Sequence, residues 1–237
     1  GNPAVSTPNS DRLQDALEDL EFMVSVDIYL NETTRHADVI LPAPSPLEKG
    51  HYDLALYQFA VRNVANYSAP VLAAPDGMLQ EWETLLRLTG IVTGQGPDAD
   101  AGAIDDYIIG EAVRRECTAS HSPISGRDQE EILAALNVRT GPERMLDLLL
   151  RTGPYGDAFG ATPEGLSMDV LEANPHGVDL GALQPRLPEV LRTPTGRIDL
   201  APELLVADVA RLDEAMHQGS GADRPLMLVG RRDLRSN

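Results

Sequence analysis

A single cysteine, Cys117, stands in 237 residues, so no internal disulfide can form. Neither a thiolate zinc site nor an iron–sulfur cluster can be assembled from this chain. Within GEAVRRECTAS that cysteine reads as a filler near a helix end rather than as a nucleophile. Lysine is equally scarce: Lys49 is the only one, beside eighteen arginines. Against 19 basic residues stand 37 acidic ones, a formal charge of −18 with a pI near 4.5. That balance argues against a protein held to nucleic acid by phosphate contacts, which needs a concentrated basic surface. It does not exclude a phosphate-bearing small molecule, which backbone N–H groups at helix starts and a few local cations can bind within an acidic chain. No apolar run of about 18 residues and no basic-then-apolar leader occurs, so no membrane span or signal peptide is expected. The chain opens on GNPAVSTP and closes on RRDLRSN, and both ends read as cut.

What is present has the composition of a folded protein, 42% hydrophobic and 24% charged. SDRLQDALEDL places Leu13, Ala16, Leu17 and Leu20 at helical spacing behind a Ser or Asn cap. EFMVSV reads as a short buried strand ending at Asp27, NETTRHA as a capped helical turn or two, and DVILP as a second buried strand stopped by Pro42. Short apolar strands alternating with helices predict an α/β fold, a doubly wound, mostly parallel sheet with helices on both faces. Ligands of such sheets sit at the carboxyl ends of the strands, which draws attention to Asp27 and to the residues after Leu41.

Further along, alternation around Tyr57 and Phe59 predicts a hairpin or an extended edge. PDGMLQEWETLLRLTGIV predicts a helix capped by Asp76, with Trp82, Leu85 and Leu86 on one face and Gly90 at its C-cap. Helices are expected over about 103–116, 127–136 and 142–151, and residues 153–194 read as a long irregular Gly/Pro-rich segment with one short helix near 164–173. GRIDL reads as a strand, LLVADVARLDEAM as a helix or loop, QGSGADRP as a flexible link, and PLMLVG as the first strand of a following domain. No internal repeat is present.

The common catalytic signatures are missing. Gly94-Gln95-Gly96 followed by PDADAG lacks the spacing and context of a dinucleotide loop, and there is no P-loop, G-x-S-x-G elbow or H-E-x-x-H. Asp98 and Asp100 start a calcium-loop spacing that nothing completes. The histidines at 36, 51, 121, 176 and 217 are too scattered to form a metal site by spacing, and Asp105-Asp106 and Glu130-Glu131 read as solvated helix faces.

TTRHADVILPAPSPLEKG carries a more specific pattern: Thr33, Thr34, Ala37, Asp38, Val39, Ile40, Leu41, Pro42, Glu48 and Lys49 in that order. It resembles the signature of the prokaryotic molybdopterin oxidoreductases, the formate dehydrogenase, nitrate reductase and dimethyl sulfoxide reductase type. GNP at the start, TPTGRIDL at 193–200 and LMLVGRRDLRSN at the end resemble further segments of that family in the same order. Asn31 and Pro44 depart from the usual small residues, and Glu81 stands before Trp82 where many relatives have Asp.

The resemblance implies a bis-molybdopterin guanine dinucleotide cofactor carrying Mo or W, with a [4Fe–4S] cluster and the metal-ligating residue upstream of Gly1, and two-electron redox chemistry on a small substrate such as formate or nitrate. It implies cofactor contacts from Gly1, Asn2 and Pro3, from Val26 and Asp27, from Lys49 and Glu81, and from Gly230, Arg231, Arg232, Asp233, Leu234, Arg235, Ser236 and Asn237. No catalytic residue and no metal ligand is expected within the chain, so the piece alone should be inactive. Residues 1–200 would be a partial α/β cofactor-binding domain with a helical insertion over about 95–152 and an irregular segment over 153–196. Residues 201–224 would link it to the start, at 225–237, of a C-terminal dinucleotide-binding domain. The implied partners are the rest of the polypeptide, the substrate and an electron-transfer subunit, in the cytoplasm. Read without the resemblance, Asp27 is equally a cap for the turn at Asn31, Lys49 a lone surface lysine, and the chain an acidic α/β module that binds a nucleotide or a protein.

Overall fold

Proline at the first turn of a helix sacrifices only an N–H that has no partner there, and Pro3 opens α1 (Pro3–Ser6). The computed structural model describes residues 1–218. The periodic apolar residues that follow form α2 (Ser10–Glu18). The two apolar runs become β1 (Val24–Val26) and β2 (Val39–Leu41), joined through a 3-10 turn at Thr34–His36. They pair in parallel, Val24 beside Val39 and Val26 beside Leu41. The Asp38 carboxylate accepts from the Met23 N–H at 2.8 Å and fastens the starts of the two strands together.

The expected α/β character is present, but among the described strands parallel pairing is confined to β1 and β2, with one isolated parallel bridge between Gly156 and Leu166. β3 (His51–Tyr52) pairs antiparallel with β5 (Tyr67–Ser68), and β4 (Arg62–Ala65) antiparallel with β6 (Val178–Ala182). β6 lies in the stretch expected to be irregular; Gly181, at φ 101°, masks its strand character, and its partner lies more than a hundred residues away. Tyr57–Phe59 is a 3-10 turn rather than an extended edge. Asp53 seeds it by accepting from the N–H groups of Ala55 and Leu56 at 3.0 and 2.8 Å.

α3 (Glu81–Val92) starts later than an Asp76 cap would place it. Its first turn is closed by Glu83, whose carboxylate accepts from the Gln80 N–H at 2.8 Å. Gly90 lies inside this helix, not at its end, because Ala99 packs directly over its α-carbon. Helices α4 (Ala101–Thr118), α5 (Gln129–Leu136) and α6 (Gly141–Thr152) match expectation within two residues at each end. Asp100 and Asp128 cap two of them through pairs of backbone N–H groups, the ordinary work of an acid just ahead of a helix.

α6 joins two apolar cores. Leu148 faces Val113, Ile124, Ile132 and Leu136, while Leu146 and Leu150 face Ala65, Tyr67, Met168 and Leu171 of the second, which includes α7 (Met168–Ala173). Arg144, almost fully buried on α6, is held by Asp105 at 2.6 Å and Asp106 at 2.7 Å, and Asp105 also accepts from the Gly141 N–H at 2.8 Å. Half of the Asp105-Asp106 pair is thus structural, not a solvated face.

Residues Gly1–Leu183 form one unit and Gln184–Asn237 a second. In the second, GRIDL is irregular instead of a strand; it follows a turn at residues 193–196, where the Thr193 hydroxyl donates to the Arg197 carbonyl at 2.7 Å. α8 (Glu203–Gln218) follows. The expected PLMLVG strand and the nominated residues Gly230, Arg231, Arg232, Asp233, Leu234, Arg235, Ser236 and Asn237 lie outside the described residues.

Candidate functional site

Parallel pairing brings the carboxyl ends of β1 and β2 together, with the Asp27 N–H donating to the Leu41 carbonyl at 3.2 Å. Beyond that point the chain turns on Asn31. Its side-chain carbonyl accepts from the N–H groups of Thr33 and Thr34, both at 3.0 Å, and its amide donates to the Asp27 carboxylate at 3.2 Å. Thr34, 1% exposed, accepts from the Asn31 N–H and donates to the Tyr29 carbonyl, both at 2.8 Å. The threonine pair is therefore buried as the frame of the turn.

Thr33 ties this turn to the amino-terminal segment. Its hydroxyl donates to the Asn2 side-chain carbonyl at 2.6 Å and accepts from the Ala4 N–H at 3.0 Å, and the Asn2 amide donates to Glu32 at 2.6 Å. That last bond holds the Glu32 carboxyl below the usual carboxylate range. Asn2 and Asp27, nominated separately, thus belong to one hydrogen-bonded assembly. Asp27 takes its second contact from the Tyr29 N–H at 2.9 Å, and this bond, ahead of the Ile28 N–H and the Asn31 amide, keeps its carboxyl low and ionised. Asp27 therefore does cap the turn, while remaining a partly open strand-end acceptor.

The solitary lysine is not a free cation. Glu48 closes the SPLE turn by accepting from the Ser45 N–H at 2.7 Å. Lys49 then reaches the Glu81 carboxylate on the first turn of α3. Two nominated residues 32 positions apart are thus joined. Both remain partly exposed, and the ammonium keeps donors that Glu81 does not use. The following residue, Gly50, lies against the Tyr67–Glu143 contact, where any side chain would collide with the tyrosine hydroxyl. That anchors the exit loop to the second core.

The His36 side chain, 6% exposed, lies beside Glu18 at 3.8 Å. Among the described residues no cluster of three or more His, Cys, Asp or Glu could hold a metal ion, and no helix is long and apolar enough to cross a membrane. After Leu41 and Pro42 the chain borders a groove of about 500 Å³, whose other wall includes Thr84, Arg87, Leu88 and Ile91 of α3. None of the nominated residues lines it.

Residues 1–60 match the molybdopterin oxidoreductase family. The matched segment contains Asn2, Asp27 and Lys49. Over 47 residues the chain is 53% identical to the assimilatory nitrate reductase catalytic subunit of Bacillus subtilis (strain 168), a match that covers 20% of this chain and 7% of that protein. Over 48 residues it is 48% identical to the F420-dependent formate dehydrogenase subunit alpha of Methanocaldococcus jannaschii, again 20% and 7%. Over 95 residues it is 44% identical to the F420-dependent formate dehydrogenase 1 subunit alpha of Methanococcus maripaludis, 40% and 13%. The matched stretch is thus a small part of each relative's length. No solved structure matches the chain.

The residues missed by sequence reasoning as parts of the site are Asn31 and Glu32. Asn31 was legible as a departure from the family pattern, and the structure makes it the centre of the turn. Glu32 carried no signal.

Proposed function

We propose that this chain is a piece of a molybdenum or tungsten oxidoreductase that uses a bis-molybdopterin guanine dinucleotide, and that its amino-terminal unit forms part of the cofactor cleft. The observation that carries this reading is the coincidence of the family-matched segment with the Asn2, Asp27 and Lys49 arrangement at the carboxyl ends of a parallel strand pair. The chemistry of the groups fits such a ligand. Ionised Asp27 accepts from guanine N–H groups or ribose hydroxyls, with Val26 beside it. Gly1, Asn2 and Pro3 offer backbone for close approach, and Lys49, steadied by Glu81, directs its spare donors at a phosphate or pterin oxygen. Gly230 to Asn237, with Arg231, Arg232 and Arg235, would lie along the same ligand.

When bound, the cofactor supplies two-electron redox chemistry on a small substrate such as formate or nitrate. The chain's own part is to bind and orient it. With one cysteine, the chain leaves a [4Fe–4S] cluster and the metal ligand to other residues of the polypeptide, and the piece alone is inactive. The relatives named as alpha subunits support an electron-transfer partner subunit, and we place the enzyme in the cytoplasm. Val24, Val26 and Val39 are each more than a third exposed on a two-stranded parallel pair, an arrangement that parallel sheets avoid. This supports strands and helices of the remaining polypeptide completing a doubly wound sheet. In the domain arrangement we propose, residues 1–200 supply the cofactor-binding part, 201–224 a linker and 225–237 the start of the next domain.

Titrating the chain with GMP, before and after Asp27→Ala, tests the reading. Weaker binding by the variant is expected, and equal binding would remove Asp27 from the site.

A further inference from the structure

The groove beside Leu41 and Pro42 holds about 500 Å³, within the size range of small-molecule sites. Its walls are mainly apolar, with Leu41, Pro42, Leu88 and Ile91 among them. Its cation is Arg87, and among the described residues that guanidinium makes no ion pair or hydrogen bond. In a chain of net charge −18, Arg62, Arg114, Arg127, Arg139, Arg144, Arg151 and Arg211 are tied to carboxylates, whereas Arg87 is exposed at the groove with its donors unused. One turn before Arg87 on α3, Thr84 lines the same wall, so a hydroxyl and a planar guanidinium share one helix face. A guanidinium fits a carboxylate through two parallel hydrogen bonds. Asp76, from the loop before α3, also lines the groove and sets the charge limit, because a second negative charge on a ligand would be repelled by it.

We infer that this groove binds an organic monocarboxylate with an apolar body, the carboxylate on Arg87 and the body against Leu41, Pro42, Leu88 and Ile91. The site goes beyond the cofactor reading, and loss of nucleotide binding by Asp27→Ala would leave it untouched.

Saturation-transfer NMR of the full chain with benzoate as probe tests the inference. At about 10 mM benzoate, enough to reveal a Kd of ~1 mM, transfer to the ring protons is expected. Arg87→Met should weaken binding by about tenfold or more, since it removes a charge-assisted contact. Ile91→Trp, which fills the groove from an already exposed position, should abolish it. Inorganic phosphate should fail to displace the benzoate. No transfer with the unmodified chain, undiminished binding by Arg87→Met or Ile91→Trp, or displacement by phosphate would each overturn the proposal.

Discussion

Asp27 and Lys49 differ in how each holds its charge, and so in what their removal should do. The Tyr29 N–H depresses the Asp27 carboxyl. A depressed carboxyl contributes stability that is present above its unfolded pKa and is lost as pH falls through the folded one. NMR titration of the Asp27 side chain should therefore give a midpoint below the ordinary aspartate value of 3.8, and replacing Asn31 by Ala should move it upward. The Lys49–Glu81 pair is partly exposed, and such pairs contribute ~1 kcal/mol or less. Lys49→Ala should leave thermal stability nearly unchanged while, on the function proposed above, lowering cofactor occupancy of the longer protein. Unchanged occupancy would reduce this lysine to an accident of composition. Its importance as a candidate was legible in the sequence; its partner was not, because nothing local says that the first turn of α3 returns to the residue before Gly50.

Helices with a periodicity of their own were legible as elements: α4, α5 and α6 lie within two residues of the expected ranges, although Asp100 and Asp128 were not read as their caps. Elements decided by distant partners were not. β6 exists because β4 is there to receive it, and Gly90 was read as a terminator although tertiary contact sets its identity. Gly90→Ala is a sharp test of this. In a free helix interior the change stabilises by up to ~1 kcal/mol, whereas here the new methyl meets Ala99. Urea unfolding should show destabilisation of roughly 1–3 kcal/mol, the usual cost of overpacking. The turn between β1 and β2 has an equally local vulnerability. Thr34→Val keeps the shape but strands the Asn31 N–H and the Tyr29 carbonyl, and should cost about 1–3 kcal/mol by the same measurement.

At the scale of the whole molecule, the division after Leu183 leaves Arg186, Arg192 and Arg197 exposed in an irregular connection. Brief trypsin treatment should cut there first and leave a fragment close to residues 1–186 intact. Early cleavage within α4 or α6 would contradict that division. The mixed α/β character of the larger unit could be read from the sequence. The antiparallel pairs could not, since short strands carry too few residues to announce a direction. The line of hydrogen bonds from Asn2 through Thr33 and Asn31 to Asp27 has a thermodynamic meaning. Two chain segments that a ligand would touch separately share one set of supports, so they cannot respond to it independently. In a double-mutant cycle on GMP binding, Asn2→Ala and Asp27→Ala should fall short of additivity by more than about 0.5 kcal/mol, and the shortfall should shrink once Thr33 is replaced by Val.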